Sequence, residues 1–288
     1  MLVRYRPSTG ITLADFKADL DGILQGTITQ VSQLSTNAKT NSLIYGTYPT
    51  GKYQRVNGTS YTYSKAHNSI AGYTHYLRLN FGATQLDSLT IASGYTSGTD
   101  TLLNSGVINQ NILPIPYTAL NSMSIDIIIN DKMFGIFTAG SASAGALMDM
   151  GHSGVTRAYT SSMLMGHFKF ANQLSWNNAT YQTQNPIFKS TQGGSIPYTY
   201  NLDTMSYGSA VYGLTTTIPY KRIATSAGNT LIIENPVFAD NVTGGYATHL
   251  LYGVYKIATN AIGSMSVYTD PGNQLYRYTY NDFSFLVD

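Results

Sequence analysis

"SIDIIINDKMFGIFT", Ser124–Thr138, is the stretch on which the reading of the fold turns. Isoleucine and phenylalanine dominate it, residue types that fit a pleated, half-buried surface. Asn130-Asp131 interrupts the run with turn-forming residues, so the pattern predicts two strands folded as a tight hairpin. Five further runs have the same texture: "THYLRLNF" (Thr74–Phe81), "SMLMGHFKF" (Ser162–Phe170), "NTLIIENPVF" (Asn229–Phe238), "LLYGVYKI" (Leu250–Ile257) and "QLYRYTYNDFSFLV" (Gln274–Val287). In the last, Leu275, Arg277, Thr279 and Asn281 interleave with Tyr276, Tyr278 and Tyr280. That period of two predicts one aromatic face, a candidate interface. Gly140–Gly154, Ser190–Tyr198 and Asp240–His249 are small-residue or Gly-rich and read as loops between strands.

One segment near the start has a different period. In "ITLADFKADLDGILQGTITQVSQLS", Phe16, Leu20, Ile23, Leu24, Ile28, Val31 and Leu34 recur at helical spacing and make one apolar stripe. Thr12 is placed to cap the helix, and Asp15 falls at its third position, where an acid meets the orphan amides. Gly22, Gly26 and the threonines weaken the second half. The stripe, with Phe16, Leu20 and Ile23 as its candidate contacts, serves either the core or a neighbouring subunit. The expected class is therefore mainly β: an N-terminal amphipathic helix followed by an antiparallel, sandwich-like body. The expected division is a helical docking arm over 1–40, a β-rich domain over 41–185 and a second β-rich lobe over 186–288, or one continuous domain from 41 onward.

Composition narrows the chemistry. Only 10% of the 288 residues are charged, against roughly 25% in an average soluble domain. The net charge is +2, with no basic cluster, which excludes nucleic acid as an expected partner. Serine, threonine, asparagine and 24 tyrosines take the place of the missing charge. Tyrosine is a large rigid body with a polar tip, suited to surfaces that become covered. Low charge also removes the usual protection against association, so the composition reads as that of an assembling chain. There is no cysteine, so neither disulfides nor thiolate metal sites are available. No run approaches the ~20 apolar residues of a membrane span. "MLVRYRPSTG" lacks the apolar run of a signal peptide, and assembly in a cytoplasm is expected.

Candidate reaction chemistry is sparse. His67, His75, His152, His167 and His249 show no metal-ligand spacing, and no metal or cofactor is expected. Asp131, Asp240, Asp270 and Asp282 stand in turn contexts, where aspartate usually caps or turns. "GHSGV" around Ser153 is one residue short of a nucleophile elbow, and "TGGYAT" and "QGGSIP" lack the lysine of a phosphate loop. The densest polar stretch is "MDMGHSGVTRAY", Met148–Tyr159, which holds Asp149, His152 and Arg157. It reads as a fastened loop, with Tyr159 offered to a neighbour, rather than a reaction centre. Tyrosine with asparagine, aspartate and threonine also fits a sugar-binding face, and the same composition makes protein interfaces.

The helix, "LSTNAKTNSLIYGTYPTGKYQRV", "THYLRLNF", "MDMGHSGVTRAY", "GHFKF", "NPVFADNVTGGYATHLLYGVYKI" and the closing "YTYNDFSFLVD" together span most of the chain. In layout and texture the chain resembles the virion structural proteins of tailed bacteriophages, especially large-genome ones with contractile tails. The short "FLVD" ending departs from the longer tails of some of them. The resemblance implies a non-enzymatic subunit of the tail or baseplate, located in the virion, whose partners are other virion proteins and copies of itself. The alternatives are a glycan-binding receptor module at the tail tip, which would contact a host surface glycan, and a head decoration or collar protein.

Overall fold

Ile125–Ile129 and Met133–Thr138 pair antiparallel, with Ile129 opposite Phe134, so the Ser124–Thr138 stretch does form a hairpin. The structure is a computed structural model. It describes residues 1–66, 74–92, 94–103, 106–108, 121–122, 124–130, 133–138, 143–150, 164–170, 188–190, 200–201, 206–207, 220–224, 230–234, 237–242, 245–250, 254–257, 265–270, 275–280 and 283–287. Side chains are described up to residue 138, except at His75, Ile91, 106–108 and Met133, and thereafter at 265–269, 278 and 285–287.

In chain order the first half holds β1 (Leu2–Tyr5), α1 (Leu13–Gln25), α2 (Thr36–Lys39), β2 (Leu43–Tyr45), β3 (Gln54–Arg55), β4 (Thr62–Ala66), β5 (Thr74–Phe81), β6 (Leu86–Ala92), β7 (Gly94–Thr96), β8 (Thr101–Leu103) and β9 (Gly106–Ile108). Then come β10 (Ile125–Ile129), β11 (Met133–Thr138), β12 (Ser143–Met150), β13 (Leu164–Phe170), β14 (Phe188–Ser190), β15 (Tyr200–Asn201) and β16 (Ser206–Tyr207). The chain closes with β17 (Tyr220–Ala224), β18 (Thr230–Glu234), β19 (Val237–Val242), β20 (Gly245–Leu250), β21 (Val254–Ile257), β22 (Ser266–Asp270), β23 (Leu275–Tyr280) and β24 (Phe283–Leu286). The described residues are mostly strands in antiparallel sheets, with few helices.

The seven-stranded sheet runs β14-β13-β12-β11-β10-β1-β2. The chain thus opens on a strand and not on a helix. β1 lies between β10 and β2, with Leu2 opposite both Ile128 and Tyr45. Strand alternation sends Val3 and Tyr5 to one face, along with Ile125, Ile127, Ile129, Phe134 and Ile136. There they share one core with Phe16, Leu20, Ile23 and Leu24 of α1 and with Tyr63, Leu77, Leu79, Leu86 and Leu89. The last five come from the five-stranded sheet, β3-β4-β5-β6-β9.

The other face of the seven-stranded sheet is covered as well. Leu2, Ile128 and Phe137 are fully buried there. The Phe137 ring lies 5.2 Å from Tyr278 and 4.8 Å from Phe285. Those two belong to β23 and β24 in the six-stranded sheet β17-β18-β21-β24-β23-β22. Backbone bonds extend the same contact: the Met1 amino group donates to Ile129 O at 2.7 Å and to Val287 O at 2.8 Å. Asn130 Nδ2 donates to Leu286 O at 2.9 Å. All five residues of β10 are buried, as a strand covered on both faces requires.

Several expectations change. The apolar stripe from Phe16 to Leu34 is not one helix. Thr12 and Asp15 form a reciprocal capping box at the start of α1, but the helix ends at Gly26, which sits at φ 68°. Ile28 and Leu34 still reach the core from the irregular segment beyond. Residues 1–40 are not an arm set apart, since β1 is an interior strand and α1 lies on the core. Ser143–Met150, expected to be loop, is strand β12, with Gly145 opposite Gly135 and Phe168. Small residues are poor strand formers alone, yet pairing on both edges overrides that preference. The run Gln274–Val287 is two strands, folded back with Tyr280 opposite Phe283. β14 lies beyond residue 185 and pairs with β13, so the seven-stranded sheet crosses that expected boundary.

Candidate functional site

On β5, Leu77 and Leu79 enter the core, so Tyr76, Arg78 and Asn80 lie on the opposite face of the five-stranded sheet. Register aligns Thr62, Arg78 and Thr90 in one row across β4, β5 and β6, and Ser64, Tyr76 and Ala92 in the next. Asn80 Nδ2 donates to Ser88 Oγ and Thr90 Oγ1, both at 2.9 Å. This outer face is a lattice of hydroxyl, amide and guanidinium groups.

The β7–β8 hairpin folds back onto that face. Its turn, Ser97–Thr99, ends at Asp100 with φ 51°. Aspartate is among the few non-glycine residues that enter this left-handed region readily. The turn aims the carboxylate at the sheet, where Asp100 Oδ1 accepts from Arg78 Nη2 at 2.7 Å, Asn57 Nδ2 at 2.8 Å, Tyr95 OH at 3.0 Å and Ser60 Oγ at 3.2 Å. Arg78 Nη2 also donates to Asp100 O at 2.8 Å, and Arg78 Nε to Thr62 Oγ1 at 2.6 Å. Asn57 Oδ1 accepts from Ser60 N at 2.6 Å and Thr59 N at 3.1 Å, a local turn that holds the amide in place. The Tyr95 ring stacks on Tyr76 at 5.6 Å and 29°. One cation and one anion, 2.7 Å apart, neutralise each other on this face.

The remaining acidic clusters are internal fastenings. Asp19 is buried, and its carboxylate accepts from Tyr5 OH and Ser35 Oγ at 2.7 Å and from Ser35 N at 2.8 Å. Asp21 accepts from Tyr63 OH at 2.7 Å and Gln25 Nε2 at 2.9 Å. Burial, reinforced by the neighbouring carboxylate, pushes both phenols well above their ordinary range. Asp126, the second residue of β10, has no exposed surface. Its Oδ1 lies 2.7 Å from Arg6 Nη2 and 3.5 Å from Arg4 Nε, and Arg4 Nη2 donates to Met265 O at 2.8 Å.

Among the described residues, those singled out from sequence are not gathered into one site. Phe16, Leu20 and Ile23 lie in the chain's own core, so a single copy already covers them. Tyr278 is buried against Phe137, while Tyr276 and Tyr280 are placed by backbone alone, in β23. Asp149 belongs to strand β12 and not to a loop. His152, Arg157 and Tyr159 lie outside the described residues. His75, His167 and His249 fall in β5, β13 and β20. Among the described residues no three histidine or acidic side chains group as metal ligands, and no helix is long and apolar enough to cross a membrane.

Sequence reasoning missed Asp126 and Asp100. A lone acid inside the isoleucine run of β10 signals a buried partner, because an unpaired charge there is costly. Asp100 carries no comparable signal, since its donors come from three separate segments, the Asn57–Ser60 turn, β5 and β7. Comparison of the chain with family models, with curated proteins and with solved structures finds no match.

Proposed function

We propose that the chain is a non-enzymatic structural subunit of a tailed bacteriophage particle. It belongs to the tail or baseplate and works through contacts with copies of itself and with other virion proteins. The observation that carries this reading is the use made of the carboxylates. Asp19, Asp21, Asp100 and Asp126 each join segments distant in sequence, and each is committed to a tyrosine, an arginine or both. Such groups hold a shape. The low charge and abundant tyrosine support the same reading, because they suit surfaces covered in an assembly. In this reading the body is sandwich-like, the sheets stacking over the core with the amphipathic helix at its margin.

Sedimentation of the full chain over a wide concentration range tests the proposal. A subunit of this kind gives a defined oligomer or a concentration-dependent series. A monodisperse monomer at the highest soluble concentration contradicts it.

A further inference from the structure

The outer face of the five-stranded sheet has more polar capacity than its own fastening uses. Arg78 donates through Nε and Nη2, and Asp100 accepts through Oδ1. Arg78 Nη1 and Asp100 Oδ2 have no hydrogen bond among the described residues. Both side chains reach solvent, at 21% and 36% exposure. A donor and an acceptor on two paired side chains are therefore left over, near the Tyr76–Tyr95 stack and the hydroxyl and amide groups of Ser64, Asn80 and Ser88.

We infer that this face binds a neutral saccharide. A sugar hydroxyl is donor and acceptor at once, so adjacent hydroxyls on one ring pair with Arg78 Nη1 and Asp100 Oδ2 together. The apolar side of the ring lies against a tyrosine of the stack, a rigid aromatic that orders at low entropic cost. Charge argues for neutrality: an anion meets Asp100, a cation meets Arg78, and the two already cancel. Nucleic acid needs unbalanced positive charge, which the face lacks. The site is also preorganised. Four donors pin Asp100 Oδ1 and a local turn pins Asn57, so little ordering remains to be done on binding. This inference goes beyond the assembly role: it shares Asp100 with that reading but rests on the other carboxylate oxygen and on the Tyr76–Tyr95 stack.

The test uses the purified full chain against an array of bacterial surface polysaccharides and neutral oligosaccharides, with heparin as the anionic probe. The expected result is binding to at least one neutral saccharide that persists at high salt, and none to heparin. Tyr76→Ser leaves every bond to Asp100 in place, and Arg78→Gln removes the donor. Each is expected to weaken binding about tenfold or more, with Tyr76→Ser still unfolding cooperatively at a melting temperature lowered only by the loss of one ring stack. No neutral saccharide bound, salt-sensitive binding to heparin alone, or undiminished binding by Tyr76→Ser overturns the inference. The oligomer test is independent of it, so either can fail alone.

Discussion

Arg6 Nη2 lies 2.7 Å from Asp126 Oδ1, on a carboxylate with no exposed surface. The arginine itself is partly open to water at 22%, so the two partners differ in what each loses when the other is removed. Without Arg6, Asp126 stays buried with only Arg4 nearby, at 3.5 Å. Without Asp126, Arg6 stays partly open to water and keeps its bonds to Tyr5 O and Ile125 O. Arg6→Met is therefore expected to cost about 3–5 kcal/mol, and Asp126→Asn distinctly less. Urea unfolding of the two variants measures the order, and equal costs contradict this asymmetry.

Phe16 separates a core role for α1 from a docking role. Its ring is 1% exposed and lies 5.7 Å from Tyr5 and 6.4 Å from Phe81. Phe16→Ala is expected to destabilise the isolated chain by about 3–5 kcal/mol. A docking residue would instead leave the melting temperature unchanged and weaken only assembly.

Gly26 closes α1 at φ 68°, and a Cβ there would meet Tyr48 Cε1 at 2.8 Å. Gly26→Ala combines left-handed backbone strain with displacement of the Tyr48 ring, and a loss of about 2 kcal/mol is expected. Tyr48 OH also donates to Leu24 O, so the same change loosens the last turn of the helix. Thermal unfolding measures it, and a wild-type melting temperature contradicts the packing described.

Burial pushes the Tyr48 phenol from its ordinary 10 up to about 12. Tyr5 and Tyr63 are raised further in the same direction. Above pH 10 the unfolded chain releases these protons while the folded chain keeps them, so the unfolded state binds fewer. Stability is then full below about pH 10 and falls as pH rises, by at most about 1.4 kcal/mol per pH unit for each group. Urea midpoints between pH 8 and 12 measure the fall. Replacing Tyr63 with Phe is expected to flatten it, and an unchanged slope contradicts the assignment.

The local parts of this architecture were legible and the long-range parts were not. The capping box at Thr12 and Asp15, the strand Thr74–Phe81 and the Ser124–Thr138 hairpin each depend on residues within a few positions of one another. β1 was missed because four residues, "LVRY", give no usable period, and its place between β10 and β2 is set by partners some forty and 120 positions away. β12 was missed because Ser, Ala and Gly carry no strand signal until flanked by paired neighbours. Asp100 was missed for the same physical reason. Its network joins Asn57, Ser60, Arg78 and Tyr95, which only the finished sheet brings together.

On the proposal that the chain is a virion subunit, its most direct test is electron cryo-microscopy of intact phage particles purified from the source of this sequence. The expected result is density for the chain in multiple symmetry-related copies on the tail or baseplate, with its sheets contacting neighbouring subunits. Particles that are complete and infectious with no copy of the chain would contradict the proposal.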